Sequence, residues 1–525
     1  MTAVLRPPDA IIATARQAGG LTTEDVASLM AHGRTPEGRA EIHAAAQRLR
    51  EAAGGRTIEF IIPEYLTSFC QNDCLYCGYR RSNPLAERVR LSLNEYEREL
   101  DLILAWGYRQ IELVLADDPD FRAGQVAPYV ALTRRRLMEV GGGVVALNAP
   151  AYEEEDYRAL RGAGLDWVAL WQETYNETQF GRWHFQGSPK RQYEFRLDVW
   201  DRAFAAGFTR VALGILFGLC DWRFEVLALV EHANYLRKNY GIEPHALGIP
   251  RLKPARGVLA SQKPSRFSVS DEDYRLAVSI YHLAFPRTRL FFNTRENYDF
   301  NMSMVARGDL FTVDCETLPG AYVRGSLPGQ FATHAYPPRR EVVAAFSRNG
   351  YACRYLEPEN PERLTSIQAG LPRVDAGANL HRSTCEHEGI RLRVNQWESF
   401  LANLGTTPAH LRWVAAADLR EGVSYFQTSY IEHCRHEERA LQAIVAPGSD
   451  SQTEVTELLR EHERLAIDLD RFDRQVTSYE QSGDPTVLLT LGNRIISEIR
   501  EHLDSEDRFF AEWLAAGPSQ ARDVN

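Results

Sequence analysis

Residues 70–77 read Cys-Gln-Asn-Asp-Cys-Leu-Tyr-Cys, which places three thiols within eight residues. This stretch follows an apolar run, Ile58 to Pro63, that has the length and composition of a buried strand. A loop this compact can bring three sulfurs to three corners of a cubane cluster and leave the fourth iron without a protein ligand. We therefore predict a 4Fe-4S cluster bound by Cys70, Cys74 and Cys77.

The alternative for these cysteines is a structural zinc site, which usually needs two paired ligands and two more from a distant segment. No matching second pair follows Cys77, since the remaining cysteines are scattered between positions 220 and 434. The spacing C-x3-C-x2-C, with the aromatic Tyr76 before the last cysteine, resembles the signature of radical S-adenosylmethionine (SAM) enzymes. That resemblance implies that SAM binds the open iron beside Tyr76 and is split to give a 5′-deoxyadenosyl radical.

Short apolar runs alternate with amphipathic segments over about 250 residues, which is typical of a parallel barrel or a doubly wound sheet. A barrel is favoured because polar residues repeatedly follow the runs, where barrel sites are built. We predict an N-terminal helical extension over 1–55, a radical SAM (β/α)8 barrel of the TIM type over 56–355 and a Pro- and Gly-rich linker over 356–378. The strands are expected at Ile58–Pro63, Gln110–Leu115, Gly143–Leu147, Trp167–Trp171, Arg210–Gly214, Ala246–Ile249 and Leu290–Asn293.

The net charge of −11 and the pI near 5.8 argue against binding to nucleic acid or to an anionic membrane surface. No apolar stretch approaches the length of a membrane span, and the first ten residues lack an export signal. We expect a cytoplasmic protein that acts on a small molecule.

Several further phrases resemble the aromatic amino acid lyases of the radical SAM superfamily, which are the tyrosine lyases (2-iminoacetate synthases) and the related tryptophan lyase. The phrases are Pro63-Glu64-Tyr65-Leu66, Cys74-Leu75-Tyr76-Cys77-Gly78-Tyr79-Arg80, Gln172-Glu173-Thr174-Tyr175, Phe195-Arg196-Leu197, Gly214-Ile215-Leu216-Phe217-Gly218-Leu219, Pro250-Arg251-Leu252 and Thr294-Arg295-Glu296. The resemblance covers roughly residues 21–357. It implies that Asp117 meets the methionine amine of SAM and that Glu173 and Arg196 hold the ribose and carboxylate of SAM.

The same resemblance implies that Arg295 holds the carboxylate of the substrate amino acid, and we predict Arg295 and Glu173 as the catalytic residues. Tyrosine would be cleaved at its Cα–Cβ bond into dehydroglycine and p-cresol, with an electron from a reductant such as flavodoxin or ferredoxin. Tryptophan cleavage and a radical rearrangement are the alternatives. A carbon monoxide- and cyanide-forming activity is not expected, because no further three-cysteine set follows Cys77.

Strand patterns end after the linker, and four segments between residues 379 and 518 carry helical periodicity, which predicts an up-and-down four-helix bundle. Within it, a His, a His-x3-Glu, a His and a second His-x3-Glu lie on successive helices. Residues four apart share a helix face, so each pair can direct an imidazole and a carboxylate into the core. The predicted ligands are His387, His433, Glu437, His462, His502 and Glu506.

This pattern resembles hemerythrin-like domains and implies a non-haem diiron centre, for which imidazole and carboxylate are suitable ligands. Ala466 stands one turn after His462, where hemerythrin has a second histidine, and His436 is a spare candidate. The bundle would serve oxygen sensing, protection of the cluster or oxidation of the product. Two alternatives are a bundle used only for dimerisation and an oxygen- or iron-sensing module that regulates the barrel.

Overall fold

The computed structural model describes two parts of the chain in detail. These are residues 7–370, apart from 17–19, 53–55, 259–260, 262–264, 307, 325–328 and 335, and residues 451–516. Between them it describes residues 387, 390–391, 393–395, 397–399, 401–402, 404–407, 412, 415–416, 419–420, 423, 426–430 and 434. The chain divides into two compact units, Met1–Gly370 and Leu371–Asn525, and this division falls inside the predicted linker.

Among its described residues, the first unit contains ten strands that form one parallel sheet in the order β10-β1-β9-β8-β7-β6-β5-β4-β3-β2. The strands are β1 (Thr57–Phe60), β2 (Ile62–Thr67), β3 (Gln110–Leu115), β4 (Val144–Asn148), β5 (Trp167–Glu173), β6 (Val211–Ile215), β7 (Ala246–Gly248), β8 (Arg289–Phe292), β9 (Leu310–Phe311) and β10 (Ala352–Arg354).

The chain itself joins the two sides of this sheet, because only Ile61 separates β1 from β2. β1 pairs with β9 and β10, whereas β2 pairs with β3. The Ile61 N–H donates a hydrogen bond of 3.1 Å to the carbonyl of Phe311 in β9. The two halves of this extended segment therefore pair near opposite ends of the strand order, so the sheet closes on itself. This confirms the predicted barrel.

The strands expected from the sequence agree with the observed ones within a few residues, with one correction. The single strand predicted over Ile58–Pro63 is two strands, since the chain changes its pairing partner at Ile61. The sequence did not predict β9 and β10, because runs of two and three residues are too short to show a period of two.

Helices surround the sheet, and most of them have one buried, apolar face. They are α1 (Pro8–Arg16), α2 (Thr23–His32), α3 (Pro36–Ala52), α4 (Leu93–Ala105), α5 (Ala123–Glu139), α6 (Glu154–Gly162), α7 (Glu177–Trp183), α8 (Tyr193–Leu197), α9 (Val199–Ala205), α10 (Trp222–Tyr240), α11 (Asp271–Ala284), α12 (Tyr298–Met302), α13 (Ala321–Arg324), α14 (Arg339–Arg348) and α15 (Pro361–Gly370). Capping boxes begin α2, with Thr22 and Asp25, and α4, with Ser92 and Glu95. Such a cap stabilises a helix by about 1 kcal/mol.

Inside the barrel, one large ring is accommodated by small neighbours. Trp167 is fully buried and packs with Ala146, Ala169, Ala212 and Ala246, among others. Above this layer the ring of Trp171 lies against two strands whose facing residues are glycines. A Cβ atom at Gly214 or Gly248 would lie 2.0 Å or 2.6 Å from that ring. Both positions therefore require glycine for close packing.

A buried ion pair ties the N-terminal helices to the barrel. Arg50 on α3 donates a hydrogen bond of 2.7 Å to Asp309, which precedes β9, and both side chains are almost completely buried. Asp309 also contacts the ring of His282 on α11 at 3.0 Å. Burial would raise the pKa of Asp309, but His282 and Arg50 outweigh burial and lower it. The predicted N-terminal extension is thus fastened to the first unit by a paired charge.

We expect Arg50→Met to lower the free energy of unfolding by about 3–5 kcal/mol, because it removes one partner of a buried ion pair and keeps the apolar stem. Denaturant titration under anaerobic, reducing conditions measures this loss. The matched control is Arg56→Met, whose exposed pair with Glu51 is worth about 1 kcal/mol or less. Equal losses in the two variants would contradict the structural role of Arg50.

The second unit contains two long helices among its described residues, α16 (Ser451–Ser482) and α17 (Thr486–Ala516). They agree with two of the four predicted helices, and their apolar residues pack around Trp397 and Phe426. Residues 426–430 form a short π-helical turn. Much of the other two predicted helices lies outside the described residues, so the four-helix arrangement over 379–518 stays a prediction.

Within the described parts of the chain, no helix has both the length and the apolar character that are needed to cross a membrane.

Candidate active site and metal centre

The cysteine loop begins just after β2, at the carboxyl end of the barrel. Cys70, Cys74 and Cys77 line one cavity together with residues that follow β3, β5 and β8. Backbone hydrogen bonds fix the loop: Gln71 N–H donates to Asp117 O at 2.9 Å, and Leu75 N–H donates to Trp183 O at 3.1 Å. The three predicted ligands are therefore brought to one place, at the end of the barrel where barrel sites form.

Cys74 is buried and Cys70 and Cys77 are half-buried, which favours a metal at these thiols. Burial raises the pKa of Cys70 to about 11 and that of Cys74 to about 12, and it also raises the pKa of Cys77. Without a metal the three sulfurs hold their protons at neutral pH. A bound iron–sulfur cluster would displace these protons and supply the positive charge that the buried thiolates need.

Asp117, which follows β3, acts here as an anchor for the cysteine loop. Its carboxylate accepts hydrogen bonds from the side-chain amides of Gln71 at 3.0 Å and Asn72 at 2.6 Å, and it forms an ion pair with Arg122. Asp117 also lines the cavity, and its predicted contact with the methionine amine of SAM stays a prediction. Its carboxylate is thus already engaged by three donors of the chain.

Glu173 ends β5 in the left-handed region of backbone conformation, with φ of 72°. A non-glycine residue rarely adopts this conformation, and such strain concentrates at functional sites. The carboxylate pairs with the ammonium of Lys190 at 2.6 Å, and both side chains line the cavity. Burial would lower the pKa of Lys190, but the charges of Glu173 and Cys74 raise it.

Tyr76 is held beside Lys190 by a neutral histidine. Burial lowers the pKa of His184 well below its usual range. His184 Nδ1 lies 2.8 Å from the carbonyl of Phe180, to which it donates, so its Nε2 accepts a hydrogen bond of 2.8 Å from the Tyr76 hydroxyl. The ammonium of Lys190 lies 5.6 Å from the centre of the Tyr76 ring. This network fixes the aromatic side chain of the cysteine loop.

Two arginines complete the set of predicted residues in the cavity. Arg196 on α8 is buried and donates to the backbone carbonyl of Trp171. Arg295, after β8, lies with its guanidinium 3.4 Å from the centre of the Phe331 ring, and its Nε has no hydrogen-bond partner among the described residues. Burial lowers the pKa of Arg295, although Tyr65 and Glu173 oppose that effect.

Aromatic side chains and one buried acid line the part of the cavity that the strands themselves form. Trp171 and Phe291 meet edge to face, with ring centres 5.6 Å apart. Glu112, in the middle of β3, is 6% exposed, and its Oε1 has no hydrogen-bond partner among the described residues. Burial raises the pKa of Glu112 to about 7, with a hydrogen bond from Asn148 opposing the rise.

The second unit brings together four of the six residues predicted as diiron ligands. Glu506 lies 3.1 Å from His502 Nε2, 3.7 Å from His462 Nε2 and 3.4 Å from His387 Nε2. The Nε2 atoms of His462 and His502 are 2.8 Å apart. All four side chains are buried. The other two predicted ligands, His433 and Glu437, lie outside the described residues.

Carboxylates orient two of these imidazoles by contacting Nδ1, whereas Glu506 lies near Nε2. Glu461 lies 2.7 Å from His502 Nδ1, and Asp507 lies 2.7 Å from His387 Nδ1. A carboxylate on Nδ1 directs Nε2 toward the centre, which is the usual support for a metal-binding histidine. Burial alone would lower the pKa of His502, but Glu506, Cys434 and Glu461 raise it to about 12. The donor set therefore fits a cation.

Comparison with known proteins agrees with this division of the chain. A family model for the radical SAM superfamily matches residues 65–228, and one for the hemerythrin HHE cation binding domain matches residues 380–514. The 2-iminoacetate synthase of Salmonella typhimurium is 30% identical over 311 residues, which are 58% of this chain and 79% of that protein. The chain belongs to the radical SAM superfamily and, within it, to the 2-iminoacetate synthase family.

Other members and solved structures extend the comparison. The 2-iminoacetate synthase of Escherichia coli is also 30% identical and covers the same shares of both chains. The hydrogenase maturase HydG of Carboxydothermus hydrogenoformans superposes with a TM-score of 0.57 at 26% identity, over 73% of this chain and 85% of that one. Methylornithine synthase, with a TM-score of 0.52 at 18% identity over 68% of this chain and 99% of that one, shares the fold.

Sequence analysis of this radical SAM protein did not identify three residues that lie in the two sites: Lys190, Glu112 and Cys434. Lys190 could have been noticed in the sequence, because the chain has only four lysines among its 60 basic residues. This lysine lies between α7 and α8. Glu112 is the one charged residue inside β3, whose other residues are apolar apart from Gln110. Cys434 gave no signal beyond its position beside His433.

We expect the double variant His462→Ala, His502→Ala to lose iron from the hemerythrin region, residues 380–514, while the cysteine loop keeps its cluster. Two imidazole donors disappear from one buried site, so the protein should contain less iron and the same amount of acid-labile sulfide. Iron and sulfide assays on reconstituted protein measure both. His32→Ala, which changes only an exposed pair with Glu41, is the control. Unchanged iron content in the double variant would remove the metal assignment.

Proposed function

We propose that this radical SAM enzyme cleaves tyrosine at its Cα–Cβ bond to give dehydroglycine and p-cresol, while its hemerythrin region holds a non-haem diiron centre. The 2-iminoacetate synthases and HydG among its relatives support a reaction of this class. A one-electron reductant such as flavodoxin or ferredoxin would serve as the partner protein. Tryptophan cleavage and a radical rearrangement remain outcomes that the experiments below distinguish.

The observation that carries this proposal is the half-buried cation of Arg295, whose Nε is buried without a hydrogen-bond partner among the described residues. A guanidinium that is partly removed from solvent is costly unless an anion compensates it. Arg295 forms no ion pair within the described part of the chain, stacks on Phe331 and faces the cavity that the three cysteines line. A substrate carboxylate would complete this site with a bidentate hydrogen bond. An amino acid held this way lies next to the cysteine loop.

The other cavity residues fit the iron–sulfur cluster and the SAM that radical SAM enzymes require. When bound, the cluster and SAM supply the 5′-deoxyadenosyl radical that abstracts hydrogen from the amine of the substrate. Cys70, Cys74 and Cys77 would hold the cluster, with Asp117 keeping the loop that carries them in place. Glu173 and Arg196 would bind the ribose and carboxylate of SAM, and Lys190 would neutralise Glu173.

Glu112 supports tyrosine as the substrate. Arg295 lies three residues beyond the end of β8, whereas Glu112 lies three residues before the end of β3. An amino acid with its carboxylate on Arg295 would therefore point its side chain inward, past Trp171 and Phe291. The phenol would reach a buried carboxyl group that has a free oxygen among the described residues. A hydrogen bond to this group would favour a hydroxylated ring.

For the hemerythrin region we propose the ligand set His387, His433, Glu437, His462, His502 and Glu506. The contacts of Glu506 with three imidazoles support this set. The centre would serve oxygen sensing, protection of the oxygen-labile cluster or oxidation of the radical product.

The decisive experiment is anaerobic reconstitution with iron, sulfide, SAM and reductant, followed by mass analysis with tyrosine and tryptophan offered separately. We expect p-cresol from tyrosine. In Arg295→Gln the dissociation constant for tyrosine should rise at least about 30-fold, because a buried charge pair is lost. Tyramine, which lacks the carboxylate, should bind both proteins equally. Formation of 5′-deoxyadenosine with both amino acids intact would contradict the lyase assignment.

In Glu112→Leu we expect the dissociation constant for tyrosine to rise about 10- to 100-fold, the worth of a hydrogen bond to a charged group. Phenylalanine, without a hydroxyl, should bind no more weakly than to the parent protein. Glu112→Gln is the control, since an amide keeps a hydrogen-bonding group at the same place. Equal weakening of tyrosine and phenylalanine would show that Glu112 does not recognise the phenol.

A further inference from the structure

The metal cluster of the second unit includes a thiol that neither the histidine pattern nor the family comparison pointed to. Cys434 is 1% exposed. Its Sγ, one ring nitrogen of His462 and one of His502 all lie within 4.8 Å of one another. Two donors bound to one ion at about 2.1 and 2.3 Å are at most about 4.4 Å apart, so the three atoms are close to the spacing of a shared ligand set.

The distances between the other donors agree with a single centre. The Nε2 atoms of His462 and His502 are 2.8 Å apart, close to the roughly 3.0 Å expected for neighbouring ligands at right angles. Glu506 lies one turn after His502 on α17 and contacts both imidazoles. Ala466, one turn after His462, offers no donor atom. The thiol of Cys434 would supply a further donor to this site.

We propose that Cys434 is a metal ligand, so that the hemerythrin region holds its metal with a thiolate in addition to imidazole and carboxylate. This inference rests on the proposed metal binding by that region. A thiolate is a softer, more electron-donating ligand than imidazole or carboxylate, and it favours Fe²⁺ or Zn²⁺ over hard cations such as Mg²⁺. The thiol loses its proton to solvent when it binds the metal, so metal binding at this site releases one more proton than it would at a site of histidines and carboxylates alone.

The test uses the full chain with Cys70→Ser, Cys74→Ser and Cys77→Ser as the parent, because this background removes the iron–sulfur cluster. Zn²⁺ serves as the probe, and X-ray absorption fine structure measures its ligands. We expect a sulfur scatterer at about 2.3 Å in the parent. In the parent carrying Cys434→Ser this scatterer should be absent and zinc affinity should fall at least about 10-fold. Cys353→Ser in the same parent should leave both unchanged.

The outcomes separate this inference from the assignment on which it rests. A parent that binds zinc through nitrogen and oxygen alone overturns the thiolate and keeps the metal site. A parent in which His462→Ala, His502→Ala leaves zinc binding unchanged overturns the metal site itself. Should Cys434→Ser fail to fold by circular dichroism, the parent spectrum alone decides, since absence of sulfur there overturns the inference.

Discussion

The change of partner at Ile61 is the constraint on which the catalytic unit depends. Because β1 and β2 are one extended segment, the pairing of β1 with β9 and of β2 with β3 fixes both sides of the barrel at once. The cysteine loop begins at Cys70, three residues after Thr67, next to the end of β3. Asp117, at that end, can therefore hold Gln71 and Asn72. Barrel closure and the position of the cluster ligands are consequences of the same pairing.

Buried charges in the cavity are either paired or directed toward space that a ligand can fill. Glu173 has Lys190, and Asp117 has Arg122 and two amides. Glu112 accepts a hydrogen bond from Asn148, whereas its Oε1 and the Nε of Arg295 have no hydrogen-bond partner among the described residues. Leaving a buried polar atom without a partner costs about 1–3 kcal/mol. These two atoms are therefore the ones that the proposed tyrosine would contact.

The sequence predicted most of this architecture because its signals are local. Strand runs such as Gln110–Leu115 and the cysteine spacing depend only on neighbouring residues. The split at Ile61 was missed because pairing partners are distant in sequence, and β9 was missed because two residues carry no period. Lys190 and Cys434 were missed for a similar reason. Their roles depend on Glu173 and His462, which reach them only through the fold.

The two proposed metal sites of the chain share one physical feature. In each, donor atoms that prefer water are buried together: three thiols in the barrel, and imidazoles, a carboxylate and a thiol in the second unit. Burial raises the pKa of Cys70 and Cys74, and Glu506 raises the pKa of His502, so these three groups hold protons at neutral pH when no metal is bound. A metal ion replaces several protons with one compact charge. Metal binding at either proposed site would therefore be coupled to proton release.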